Sequence, residues 1–187
     1  MARILRANAS GRNVLVAFAL LTALTSSFGL YFTPAFERVS GGLQPFDMQF
    51  PLSHESVVIQ LALLTPESVS AYTGFMVVDF IFPPFGALCW TLLWAWALQK
   101  IAWPRWDALF EAGFWSFPFF GAACDWAENI LFYRIIAAAP RPLPDTIDLA
   151  LQIHDAKLRL LLVTATVTVI LLVTAGGVLM VRKIKTL

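Results

Sequence analysis

The sequence predicts an all-α integral membrane protein, a four-helix bundle with short interfacial helices on its outer side. Three observations carry this expectation. The chain is 59% hydrophobic and 13% charged, with a mean hydropathy of +0.73, where soluble domains carry about 25% charged residues. Four segments, residues 14–32, 72–98, 112–137 and 160–181, come close to or exceed the ~20 mainly apolar residues that cross a bilayer. Basic residues collect before the first (Arg3, Arg6, Arg12), between the second and third (Lys100, Arg105) and after the fourth (Arg182, Lys183, Lys185). The positive-inside rule puts those three stretches in the cytoplasm, so both termini are expected there. Residues 1–187 then form a single transmembrane domain. A net charge of +1 exerts no general pull on nucleic acid, and the partners expected are membrane lipids and other membrane proteins.

The first span follows an arginine-rich start, as a signal peptide would, but its apolar run to Phe32 exceeds the ~7–15 residues of an h-region and reads as an uncleaved anchor. A connection rich in turn formers follows: Pro34, Gly41, Gly42, Pro45 and Pro51. Ser53 then caps a short helix with Val57, Val58, Leu61, Ala62 and Leu64 at helical spacing, lying on the outer surface. Thr65 and Pro66 suit an N-cap and the first helical position of the second span. Pro83 and Pro84 predict a kink near Phe82 that frees backbone carbonyls in need of partners.

The short link at residues 99–113 makes spans two and three antiparallel neighbours, and Trp94, Trp96, Trp103, Trp106 and Trp115 suggest an interfacial belt. After the third span the chain is proline-rich and then helical from about Asp145, a candidate cap, as an outer interfacial helix ahead of the fourth span. Gly176-Gly177 reads as a packing notch.

Within the spans stand three acids, Asp79, Asp125 and Glu128. A charge at the bilayer centre costs ~2.5–3.5 kcal/mol on insertion scales, so such residues turn inward. Asp125, Glu128 and Asn129 are spaced i, i+3, i+4 and share a helix face that Gly121 extends by a turn. Asp79, at similar depth in span two, is expected to meet them beside the kink, below a rim containing Arg134, Lys157 and Arg159. Two readings of Asp79, Asp125, Glu128 and Asn129 stay open: a site for a proton, cation or amphipathic ligand, or polar cross-links that fix helix packing.

Other chemistries find less support. Cys89 and Cys124 read as small buried fillers. His54 and His154 fall in the outer connections, which removes haem and di-iron ligation inside a span. A zinc set of His54, His154 and Asp155 is weighed and set aside in favour of a solvated face, so no metal or cofactor is expected. Ser116 and Cys124 have no base at helical spacing to activate them.

The stretches "FDMQFPLS", "YTGFMVVDFIFPPFGAL" and "CDWAENILF" resemble a group of small bacterial four-helix membrane proteins with Asp-x-x-Glu-Asn in the third span. The resemblance implies an inner-membrane location and a shared feature made of Asp79, Asp125, Glu128 and Asn129. It adds Asp47 and Tyr72 as matching outer positions, and it brings no substrate. The function expected is an intramembrane acidic cluster that binds a proton, cation or small amphipathic ligand. The alternatives are an accessory subunit of a larger membrane complex and a lipid-modifying enzyme with carboxylates as general acid and base.

Overall fold

The computed structural model describes residues 1–185, and every regular element among them is helical. Helix α1 (Ala2–Asn8) is pinned by Arg6, whose guanidinium donates to Asp107 Oδ1 at 2.8 Å. Ser10 caps α2 (Gly11–Ser27) by accepting the Asn13 N–H at 3.1 Å. A π-helical turn, Phe28–Phe32, and α3 (Thr33–Ser40) carry the same helix on until Gly41, whose φ of 74° is the left-handed conformation glycine adopts without strain.

The caps read from sequence at Ser53 and Thr65 both form, and each is reciprocated by a serine three residues on. Ser53 and Ser56 open α4 (His54–Leu63), and Thr65 and Ser68 open α5 (Pro66–Asp79). The expected kink falls at Phe80 and Ile81, where the α-helical hydrogen bonding lapses while both residues keep right-handed helical dihedrals, before α6 (Phe82–Ile101). Pro83 and Pro84 lack the N–H groups that would bond the carbonyls of Asp79 and Phe80 four residues back. One of the freed carbonyls finds its partner across the structure, where Trp126 Nε1–H donates to Phe80 O at 2.7 Å.

After α7 (Pro104–Glu111), Gly113 turns the chain at φ 117° into a 3₁₀ turn, Phe114–Ser116, and α8 runs over Phe117–Ala137. The third helix thus starts five residues later than the apolar run that predicts it. The last helix, α9 (Pro144–Ile184), has 41 residues. The separate interfacial helix and fourth span expected from sequence are one continuous rod, because nothing between Pro144 and Ile184 breaks the helix. Asp145 lies in its first turn and does not cap it.

Three helices are long and apolar enough to cross a membrane: Gly11–Ser40, Pro66–Ile101 and Pro144–Ile184. The fourth expected span, α8, has 21 residues, about 31 Å at 1.5 Å per residue, but Asp125, Glu128 and Arg134 interrupt its apolar run. Helix α6 packs on α2, α8 and α9, and the most extensive contact is between α8 and α9.

Two apolar cores form. One, at the end that holds both α1 and the far part of α9, gathers Leu5, Trp94, Leu98, Phe110 and Leu171. The other, at the opposite end, gathers Phe36, Phe46, Leu61, Phe75, Phe132 and Ile147. Trp94 is therefore a core residue and not part of an interfacial belt; it is fully buried and donates to Thr168 Oγ1 at 2.7 Å. Trp103, by contrast, is exposed. Cys89 is buried between α2 and α6, its Sγ 3.5 Å from Ala17 O. Gly176 and Gly177 face outward with nothing near an added Cβ, so they form no notch. Glycines that do face a neighbouring side chain are Gly11, Gly86 and Gly121, where an added Cβ would make ordinary contact with Trp96 at 3.6 Å and with Leu21 and Leu160 at 3.9 Å.

Candidate functional site

Along α5, α8 and α9 the two cores are separated by a polar layer, and this layer holds all four residues singled out from sequence. Gly121, Glu128 and Asn129 turn into the protein on one face of α8, with Asp125 partly buried beside them. Glu128 is fully buried: its Oε1 lies 2.5 Å from His154 Nδ1 and its Oε2 is ion-paired with Lys157 Nζ. Lys157 also donates to Asp125 Oδ1 at 3.4 Å.

His154 and Lys157 correct the sequence reading. His154 is 3% exposed and Lys157 6%, whereas the sequence assigned the histidine to a solvated face and the lysine to a rim. The unbroken length of α9 is the reason, since it carries its early turns down beside α8. A signal for this was present. Ile147, Ala150, His154, Lys157, Thr164, Thr168, Leu171 and Ala175 are buried along α9 at the three- and four-residue spacing of a packing seam, with one turn skipped between Lys157 and Thr164. Arg134 and Arg159 do remain exposed. The set His54, His154 and Asp155 does not assemble. His54 Nδ1 lies 2.6 Å from Asp148, joining α4 to α9, and no three His, Cys, Asp or Glu among the described residues are placed to hold a metal ion.

Asp79, at the last position of α5, is 7% exposed, and its Oδ2 has no hydrogen-bond partner. Its charged and polar neighbours are Asp47, Asp125, Asn129 and Lys157. The Nε2 of His154 and the Nδ2 of Asn129 are likewise buried without a hydrogen-bond partner. The far wall of the layer is the 3₁₀ turn Phe46–Met48, held by Tyr72, which accepts the Phe46 N–H at 2.8 Å and donates to Asp47 Oδ1 at 3.4 Å. Burial raises the Asp47 carboxyl to about 7, with Glu128 and Asp125 reinforcing the rise and Lys157 opposing it. The three stretches "FDMQFPLS", "YTGFMVVDFIFPPFGAL" and "CDWAENILF", distant in sequence, therefore meet at one place.

That place is a cavity of about 420 Å³. Asp47, Asp79, Asp125 and Lys157 supply its charged lining, and Phe28, Phe75, Phe82, Leu158 and Leu161 its main apolar lining. A second space of about 340 Å³ adjoins it, sharing Thr25, Phe82, Asp125 and Leu161, and continues past Gly86, Trp90 and Thr164. Phe82, just past the end of α5, lines both spaces, and Pro83 lines the second. Lys157 is the cation among these polar groups, and it is already engaged by Glu128 and Asp125. The charged lining can accept hydrogen bonds and positive charge from a guest, and the aromatic and aliphatic lining can cover an apolar body. Compared with protein-family models, curated proteins and solved structures, the chain matches none.

Proposed function

We propose that this chain is a four-helix membrane protein of the bacterial inner membrane, related to the small membrane proteins it resembles, and that it binds a small amphipathic ligand in the cavity between α2, α5, α8 and α9. Both termini lie on the cytoplasmic side. The observation that carries the reading is a cavity lined by both carboxylates and aromatic and aliphatic side chains, among them Asp79, whose buried Oδ2 has no hydrogen-bond partner. Binding sites are mostly apolar concavities with a few convergent polar groups, and this one falls within the usual ~300–1,000 Å³.

Depth supports the same reading. Exposed apolar residues run along α9 from Leu161 to Ile184 and along α8 from Phe120 to Tyr133. So wide a band on a monomer belongs against lipid. Lys157 lies one turn beyond its edge on α9, whereas on α8 the band brackets Asp125 and Glu128, so the polar layer sits inside the hydrocarbon near its outer boundary, within reach of the head of an amphipathic molecule.

Native mass spectrometry of the full-length protein, gently extracted at natural abundance, tests the proposal. A discrete bound small mass is expected, and Asp79→Asn should lose it. Stoichiometric partner chains with no bound small molecule would overturn it in favour of an accessory subunit whose acids only lock helices.

A further inference from the structure

Resting on that reading, we infer that the ligand is a single-chain primary amine, its ammonium group held by Asp79 and Asp125 and its aliphatic chain laid along the groove past Leu161 and Trp90. Charge makes the first half of the argument. Three carboxylates line the cavity with one lysine, and that lysine is already paired with the buried Glu128 and with Asp125. Asp79 lines the cavity, and its Oδ2 is buried close to Asn129 without a hydrogen-bond partner of good geometry. A buried acceptor in this state is costly, and a charged donor is the guest that relieves it most.

The kind of donor follows from geometry. A bare metal ion needs several oxygen ligands drawn to within 2–3 Å of one point, and no three acidic, histidine or cysteine side chains among the described residues converge in that way. An ammonium group needs less: three N–H bonds can reach separate acceptors. A quaternary ammonium would suit the Phe28, Phe75 and Phe82 rings, but it has no N–H to offer Asp79.

The tail follows from the adjoining space. It continues from Asp125 toward Gly86 and Thr164, deeper in the apolar band, and its volume of about 340 Å³ is close to that of the head chamber. Gly86 and Gly121 both border it, and the absence of side chains there keeps it open.

Radiolabelled dodecylamine, titrated onto the full-length protein in nanodiscs of a zwitterionic lipid and compared with empty nanodiscs, decides the matter, with dodecanol and dodecyl sulfate as competitors. Saturable binding above empty discs is expected, with both competitors at least about tenfold weaker. Asp79→Asn should weaken the amine by about tenfold or more and leave dodecanol unchanged. Equal competition by dodecanol or dodecyl sulfate would overturn the amine while leaving an amphipathic ligand in place. Binding of none of the three would overturn both. The competition runs on the unaltered chain, so the outcome stands even if Asp79→Asn fails to fold. Leu161→Trp, which fills the groove, should then abolish binding of all three probes.

Discussion

Glu128 is the residue on which the polar layer turns, because it alone touches both His154 and Lys157 and has no access to water. Removing one member of a buried ion pair leaves the other charge uncompensated, at about 3–5 kcal/mol. Glu128→Gln should therefore lower thermal stability in nanodiscs far more than Asp125→Asn, whose contact with Lys157 is longer and partly exposed. Equal losses would mean that Lys157 is held by Asp125 instead. Asp47 gives a pH signature. Its carboxyl is raised from 3.8 to about 7 in the folded protein, so between those values the folded state binds the proton more tightly than the unfolded chain. Stability should then fall as pH rises from about 4 to about 7, with little further change from this group above that, since each tenfold difference in proton affinity is worth ~1.4 kcal/mol. Asp47→Asn should flatten melting temperature against pH across that window. The groups facing Asp47 are Tyr72, Asp79, Lys157, Glu128 and Asp125, and an unchanged slope would assign the window to them.

At the scale of the element, the break between α5 and α6 shows how a local rule is completed by a distant residue. Pro84 is the reason that the Phe80 carbonyl lacks a helical partner, and the Trp126 indole supplies one from α8. Trp126→Phe should cost about 1–3 kcal/mol by stranding that carbonyl. In a Pro84→Ala background the restored N–H can serve it, so the same substitution should cost markedly less, and a double-mutant cycle on thermal unfolding reads the difference. Additive losses would show that the indole acts by packing alone. The prolines made the break legible in the sequence; the partner was not, because nothing in the spacing of Trp126 says which carbonyl it faces. The caps at Ser53 and Thr65 were legible for the same local reason. What hydropathy misplaced were ends. Apolar runs stop where lipid stops, whereas hydrogen-bonded helices continue until glycine or proline ends them, as α3 does at Gly41. His154 was misjudged on that account, as a residue outside a span that is nonetheless inside the helix.

At the scale of the whole molecule, the step from helices to topology rests on α8. By average composition it falls short of a span, yet its polarity is one-sided. Glu128 and Asn129 are buried with Asp125 beside them, while Phe120, Trp126, Ile130 and Tyr133 are the large apolar residues it exposes. A helix that hides its charges against α6 and α9 presents lipid with an apolar face, and Arg134, near its far end, is placed for its long side chain to reach the interface. Helix α8 should therefore cross, which puts residues 42 and 141 on one side and residue 105 on the other. With Cys89 and Cys124 replaced by alanine, single cysteines at Gly42→Cys, Arg105→Cys and Arg141→Cys can be probed in spheroplasts with a membrane-impermeant maleimide. Gly42→Cys and Arg141→Cys should label in intact spheroplasts, and Arg105→Cys only after lysis. Should Arg141→Cys instead behave like Arg105→Cys, α8 would not cross, the four-helix topology would be wrong, and the polar layer would not lie near the outer boundary of the hydrocarbon, where the amphipathic reading needs it.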